Sequence, residues 1–174
     1  NKIKVIADSC HALGGEIGQV PIGACKYEDF STFSFHPVKT ICTGEGGAIT
    51  TNNKNLADFM KTMRHHGITK RSRENPWLYK MDRLGFNYRI TDFQCALGIS
   101  QLGKLEKMIN IRADLVSKYN KNITKISSHI HPPEAVQTTK KIGWHLYSPR
   151  IDFASLGIKR SVIMQKLKEK GIGT

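Results

Sequence analysis

The alternation of apolar and polar residues predicts short strands in the first fifty residues. Residues 2–8 form a β-branched apolar run that ends in Asp8, which is typical of a buried parallel strand. Residues 30–36 alternate aromatic and small polar side chains, and residues 48–51 follow a glycine-rich turn. We therefore predict three strands, with an extended glycine-rich loop over residues 14–23 between the first two.

Further along, the apolar positions change to helical spacing. Residues 54–66 carry an apolar stripe, with Asn53 suited to the N-cap and Gly67 to the position just after the last turn. Residues 68–90 show no clear periodicity, so we expect a long loop there, and loops of this length tend to be functional or mobile.

The strongest helical pattern begins at Thr91, which fits a capping box together with Gln94. The apolar stripe then continues over about residues 92–122. Gly98 and Gly103 interrupt the apolar stripe, and each lowers the stability of a helix by about 1 kcal/mol relative to Ala. We therefore expect close packing partners at both glycines. A helix of this length, followed by a double proline, is expected to bridge two domains.

Beyond that helix the pattern predicts a strand over residues 144–153 and a helix that Ser161 caps and Gly171 ends. We therefore divide the chain into residues 1–122, part of a large domain with the bridging helix, and residues 123–174, part of a small carboxyl-terminal domain.

Length and composition narrow the class of protein. The chain has 174 residues, of which 39% are hydrophobic and 24% charged, enough for one sizeable core. No apolar run approaches the roughly 20 residues of a membrane helix, so we predict no membrane partner. The chain begins in a predicted strand, without an initiator Met or a signal-peptide layout, and we expect a piece of a longer protein.

The net charge of +13 raises nucleic acid as a partner, because phosphate neutralisation supplies most nonspecific affinity. The basic residues are spread along the chain, and no zinc-finger, RRM or helix-turn-helix signature accompanies them. A solvated face, a partner-subunit contact or an anionic small substrate explains the charge better, and we predict no nucleic-acid partner.

The cysteines stand far apart and belong to no CxxC or Cys/His cluster; they are Cys10, Cys25, Cys42 and Cys95. This spacing favours reduced thiols in a cytoplasmic protein over a disulfide framework or a zinc site. We predict no metal.

Two residues in different strands suggest cofactor chemistry. Asp8 ends one predicted strand, and Lys39 follows another. Pyridoxal phosphate (PLP) needs a lysine for covalent attachment and an acid, deep at a strand end, to keep its pyridine nitrogen protonated. Alone, each residue is weak evidence for a PLP site, since a strand-end Asp often anchors a loop and a lone Lys is usually on the surface. The Gly44–Gly47 turn is no Walker loop, and no GxSxG elbow supports a serine hydrolase.

Several motifs, in order and at matching spacing, resemble the DegT/DnrJ/StrS sugar aminotransferases. They span residues 8–14, 33–39, 43–48, 85–94 and 145–147. The resemblance implies an α/β fold of the fold type I PLP-dependent transferases, similar to aspartate aminotransferase. The chain would supply the carboxyl-side part of the large domain and the start of the small domain.

The resemblance also implies cofactor-binding roles. Lys39 would be the catalytic Schiff-base lysine and proton carrier, and Asp8 would pair with the pyridinium nitrogen. His11 would lie near the ring and its 3-oxygen, and Ser34 would hydrogen-bond the phosphate.

Other implied roles involve a second subunit and the substrate. Asn87 would reach the phosphate from the partner subunit of a homodimer, so that the active site is shared. His36 and Arg89 would lie on the substrate side, with residues 68–85 as a mobile loop near the sugar nucleotide.

The reaction implied by the resemblance is transamination of a UDP-linked 4-keto-6-deoxy sugar with L-glutamate as amino donor, for bacterial surface glycan or flagellin sugars. The alternatives are a catalytically silent scaffold and a related PLP-dependent sugar dehydratase. Silent relatives commonly lose the lysine and some dehydratases replace it with His, so Lys39 favours the aminotransferase. Because the family's amino-terminal half has no counterpart in the chain, we expect this piece alone to be inactive.

Overall fold

The computed structural model describes residues 3–75, 77–134 and 141–173, and within these the side chains of all but residues 70 and 71. The strands are β1 (Ile6–Asp8), β2 (Glu16–Ile17), β3 (Val20–Pro21), β4 (Phe30–Ser34), β5 (Gly47–Thr50), β6 (Ile68–Arg71), β7 (Tyr79–Met81), β8 (Ile130–His131) and β9 (Arg150–Ile151). The helices are α1 (Lys54–Arg64), α2 (Asp92–Leu102), α3 (Leu105–Ile126), α4 (Phe153–Leu156) and α5 (Arg160–Glu169).

A three-stranded sheet of order β1–β4–β5 confirms the three predicted strands. β1 runs parallel to β4, in a register that places Asp8 opposite Thr32, and β5 runs antiparallel to β4. The predicted burial of the first strand is wrong, because β1 lies at the edge of the sheet and Ile6 is 63% exposed. Between β1 and β4, the predicted loop contains the short antiparallel pair β2–β3.

Helix α1 confirms the predicted helix and its N-cap. The side chain of Asn53 accepts hydrogen bonds from the backbone N–H groups of Asn55 and Leu56. The helix ends at Arg64. We predicted Gly67 just after the last turn, but left-handed backbone already begins at His66 (φ 57°) and continues at Gly67 (φ 72°). The chain therefore turns away one residue earlier than the glycine indicates.

The long loop predicted over residues 68–90 is wrong, because β6 and β7 form an antiparallel hairpin. Ile68 pairs with Met81, and Ser72 N donates to Leu78 O across the closing turn (2.9 Å). Every residue of β7 is exposed, so no buried face imposes the alternation by which a strand is recognised.

The single helix predicted over residues 92–122 is also wrong, because the structure has two helices, α2 and α3. The capping box of Thr91 and Gln94 is confirmed. Gly103 caps the end of α2, where it interrupts the helix, whereas Gly98 has the expected close neighbour: a Cβ there would lie 3.1 Å from Thr43 Cγ2.

The strand predicted over residues 144–153 shrinks to the two residues of β9, which pair with β8. Asp152 then caps the short helix α4 by accepting from Ser155 N (3.0 Å). The predicted last helix exists as α5, but Lys159 and not Ser161 is its N-cap.

The buried core is small. Among the described residues the buried hydrophobic side chains are Phe33, Ile41, Ile109 and Val116. The accessible surface is 13053 Å², whereas a folded monomer of 19.6 kDa exposes about 8,600 Å². The exposed surface includes many large apolar side chains, among them Ile3, Leu84 and Phe93. No described helix combines the length and apolarity that crossing a membrane requires.

Candidate functional site

The carboxyl ends of β1 and β4 meet at one edge of the sheet because the two strands are parallel. β1 ends at Asp8, and His11 follows in the next turn; β4 ends at Ser34, and Lys39 follows in the turn after it. Lys39 Nζ lies 2.5 Å from His11 Nε2, and Lys39 acts electrostatically on Asp8. The topology thus brings an amine, an imidazole and a carboxylate to one place.

The turn that carries Lys39 is held by its own backbone and side chains. Lys39 N donates to His36 O (2.9 Å), and Val38 N donates to His36 Nδ1 (3.3 Å). Thr43 N closes the turn on Phe35 O (2.9 Å). We call residues 35–46 the lysine turn.

A second layer ties the lysine turn to α2. Both Thr43 Oγ1 and Gln94 Nε2 donate to Glu45 O, at 2.7 and 2.9 Å. Gly46, with φ 156°, fits only as glycine, since a Cβ would lie 2.4 Å from Thr43 Oγ1. The N-terminal turn of α2 therefore fixes the lysine turn from the side.

Asp8 is exposed in this chain, so the prediction of a buried strand-end acid is wrong here. The cause is the edge position of β1. Hydrogen bonds from Cys10 lower the pKa of Asp8, first from the thiol and then from the backbone N–H (3.1 Å), and the charges of His11 and Lys39 lower it further. The carboxylate therefore stays ionised and can hold a cationic partner.

The contact between Lys39 and His11 suits proton transfer. A lysine amine and an imidazole nitrogen at 2.5 Å share one hydrogen, so a proton on either group is available to the other. Lys39 is half-buried and His11 exposed, which leaves room for a ligand on the open side of the pair.

Ser34 lies just before the lysine turn, and His36 lies within it. Ser34 Oγ accepts from His36 N (3.4 Å) and is half-buried. The exposed ring of His36 has its Nε2 3.8 Å from Glu45 Oε1. The structure therefore places five of the seven predicted site residues at one edge.

Asn87 and Arg89 lie elsewhere, beside the end of α1. Asn87 forms an isolated bridge with His65, and Arg89 Nη1 lies 3.0 Å from His65 Nδ1. Both are exposed, and in the described part of the chain no hydrogen bond joins either to Lys39. These two residues form a second exposed patch.

His145 is a neighbour of the site to which the sequence assigned no role. Its ring centroid lies 4.4 Å from that of His11. Burial lowers the pKa of His145, and the positive groups His11, Lys39 and Arg112 lower it further. No spacing in the sequence connects His145 to His11, so only the folded chain reveals their contact.

Within the described ranges, no group of three or more His, Cys, Asp or Glu side chains could hold a metal ion. All four cysteines are free. The chemistry of this edge therefore depends on the amine, imidazole and carboxylate described above.

Comparison with known proteins agrees with this geometry. The UDP-4-amino-4,6-dideoxy-N-acetyl-beta-L-altrosamine transaminase of Campylobacter jejuni (serotype O:23/36) is 40% identical over 171 residues, covering 98% of this chain and 43% of the relative. The Helicobacter pylori aminotransferase PseC, involved in the biosynthesis of pseudoaminic acid, matches with TM-score 0.84 and 31% identity over 95% of this chain and 43% of that one.

A third similar protein comes from Streptococcus pneumoniae. The PMP form of Spr1654 from Streptococcus pneumoniae, a candidate sugar aminotransferase, matches with TM-score 0.88 and 31% identity over 99% of this chain and 45% of that one. The chain thus spans less than half the length of these relatives. Its fold is part of a fold type I PLP-dependent transferase. Since the match to the family covers residues 1–174, the chain belongs to the DegT/DnrJ/EryC1/StrS aminotransferase family.

Proposed function

We propose that the protein is a PLP-dependent aminotransferase that transfers the amino group of L-glutamate to a nucleotide-linked 4-keto sugar. The observation that carries this proposal is the 2.5 Å contact between Lys39 Nζ and His11 Nε2, at the sheet edge that also holds Asp8. Family membership and the printed names of the relatives support the same activity.

The residues of this edge fit PLP by their chemistry. Lys39 offers the amine for covalent attachment, Asp8 offers an ionised carboxylate for the ring nitrogen, and Ser34 offers a hydroxyl for the phosphate. When bound, the cofactor supplies an electron-withdrawing ring that stabilises negative charge at the neighbouring carbon. Asp8 would hold the ring nitrogen protonated, because hydrogen bonds from Cys10 lower the pKa of its own carboxyl and favour the charged carboxylate.

Lys39 and His11 would handle the protons. An amine attacks a carbonyl only when it is unprotonated, and His11 Nε2 lies where it can accept the proton from Lys39 Nζ and return it. Lys39 Nζ would then move a proton to and from the reacting carbon of the substrate.

For the substrate, the relatives point to a UDP-linked 4-keto-6-deoxy-N-acetylhexosamine of a pseudaminic acid pathway. His36 would contact it from the lysine turn. We place the enzyme in the cytoplasm, where nucleotide sugars and glutamate are available.

The exposed patch of Asn87 and Arg89 supports a shared active site. In this proposal a homodimer brings Asn87 to the partner's phosphate site and Arg89 to its substrate, which explains why neither contacts Lys39 of its own chain. Residues 1–122 would belong to the large domain and residues 123–174 to the small one.

The direct test incubates the intact gene product with PLP, glutamate and a UDP-4-keto sugar, and measures 2-oxoglutarate and the amino sugar. Lys39→Ala should abolish turnover while leaving the circular dichroism spectrum unchanged. Lys54→Ala, an exposed lysine on α1, is the matched control and should keep full activity. Retained turnover in Lys39→Ala would contradict the assignment.

A further inference from the structure

We propose that His145 is a positioning residue: its ring packs on His11 and holds the His11 imidazole against Lys39. The inference rests on the proposed function for the role of Lys39, but the contact itself does not. The ring centroids of His145 and His11 lie 4.4 Å apart with planes tilted by 59°, within the range of aromatic contact. On its other side, His11 Nε2 meets Lys39 Nζ.

The segment that carries His145 is fixed from one side by α3. Arg112 Nη1 donates to the carbonyl oxygens of Trp144 (3.3 Å) and His145 (3.0 Å). Two residues further on, Tyr147 Oη donates to Asn120 Oδ1 (2.8 Å). Two side chains about two turns apart on one long helix therefore hold a segment that has no regular secondary structure of its own.

The loop after β1 fixes the same segment from the other side. Glu16 N donates to Lys141 O (2.8 Å). Gly143 approaches so closely that a Cβ there would lie 2.5 Å from Leu13 O. His145 is thus held against the same loop that carries His11, and its ring has little freedom to leave.

The surroundings keep the His145 ring uncharged. Its Nδ1 is buried and has no hydrogen-bond partner among the described residues, and a protonated imidazole needs an acceptor at both nitrogens. The groups that face the ring are His11, Lys39 and Arg112, all potential cations, and none would stabilise a further positive charge. A neutral ring adds contact area beside Lys39 without adding repulsion.

This arrangement gives His145 a specific task. The His11 ring is exposed and would otherwise rotate about its side-chain torsions, so that Nε2 would face Lys39 only part of the time. Packing against His145 removes that freedom. Proton exchange between His11 and Lys39 depends on this alignment, since small displacements of reacting groups lower rates strongly.

Two readouts on the intact gene product test the inference. The first is NMR of histidine ring protons: the wild type should show a cross-peak between the rings of His11 and His145 and a ring-current shift of the His11 signals. Both should disappear in His145→Ala, and His145→Phe should restore the ring-current shift. This readout needs neither cofactor nor substrate, so it separates the inference from the proposed function.

The second readout is the pH profile of the amino transfer from glutamate. His145→Ala should lower its rate on the order of tenfold to a hundredfold and shift the profile, and His145→Phe should recover most of the rate. Tyr147→Phe is the matched control: it removes one contact that holds the segment but keeps the His145 ring, so it should change the rate and the profile much less than His145→Ala does. Unchanged His11 signals in His145→Ala, or an equal rate loss and shift in Tyr147→Phe, would overturn the inference.

Discussion

The lysine turn and the region from β6 to α2 differ sharply in how far their side chains are buried. In the lysine turn, Thr40, Ile41 and Thr43 are all buried. In the other region, Trp77 on the hairpin is 74% exposed and Phe93 on α2 is 91% exposed. Both regions carry motifs of the same family, so the difference lies in packing.

The comparison shows which part of the site this chain builds by itself. The lysine turn has backbone hydrogen bonds, a required glycine and buried side chains of its own, so Lys39 is positioned before any ligand arrives. The hairpin and α2 present apolar side chains to solvent, which costs free energy until another surface covers them. The lysine turn is thus packed by residues of this chain, whereas the apolar side chains of the second region remain exposed in it.

The largest expected effect comes from removing a core side chain under the lysine turn. Ile41 is 1% exposed, so Ile41→Ala leaves a cavity and should lower the free energy of unfolding by about 2–5 kcal/mol. Phe93→Ala, in the exposed region, should change it by less than about 0.5 kcal/mol in this chain. Urea denaturation measures both, and similar losses would remove the contrast between the two regions.

A smaller effect should follow from adding one methyl group within the lysine turn. Gly46→Ala places a Cβ 2.4 Å from Thr43 Oγ1 and should cost about 1–3 kcal/mol of unfolding free energy. Gly44→Ala is the control, because Gly44 also has positive φ (82°) but no atom lies within 4 Å of its added Cβ. An equal loss in both variants would show that backbone strain alone, and not the contact with Thr43, decides the effect.

The smallest expected effect is on how the stability of the fold changes with pH. Burial lowers the pKa of His145 in the folded state, so the unfolded chain binds its proton first as pH falls below about 6.5. This group therefore contributes stability above that pH, which is lost as pH falls towards its folded pKa. Thermal unfolding at pH 7.5 and 5.5 should show a smaller difference for His145→Phe than for wild type. An equal difference in wild type and His145→Phe would contradict this expectation.

Much of the candidate site could be predicted from the sequence, because the residue patterns that mark its elements are local. The capping box at Thr91, the N-cap at Asn53 and the strand before Lys39 each depend on neighbouring residues, and the structure has all three. The approach of Asp8 to Lys39 follows from two adjacent parallel strands, which a strand pattern can anticipate.

The predictions that were wrong concern features that no local pattern of residues marks. The hairpin β6–β7 is exposed on both faces, so no alternation marked it, and the apolar stripe continued through Gly103, so the helix break was missed. The exposure of Asp8 and the contact of His145 with His11 depend on which surfaces meet in the folded chain. No local pattern carries that information.

The most direct test of the central assignment is reduction of the PLP-loaded gene product with borohydride, followed by peptide mapping. We expect one pyridoxyl group, on the peptide that contains Lys39, and none after Lys39→Ala. A pyridoxyl group on another lysine, such as Lys26, or no stable label on the wild type, would contradict it.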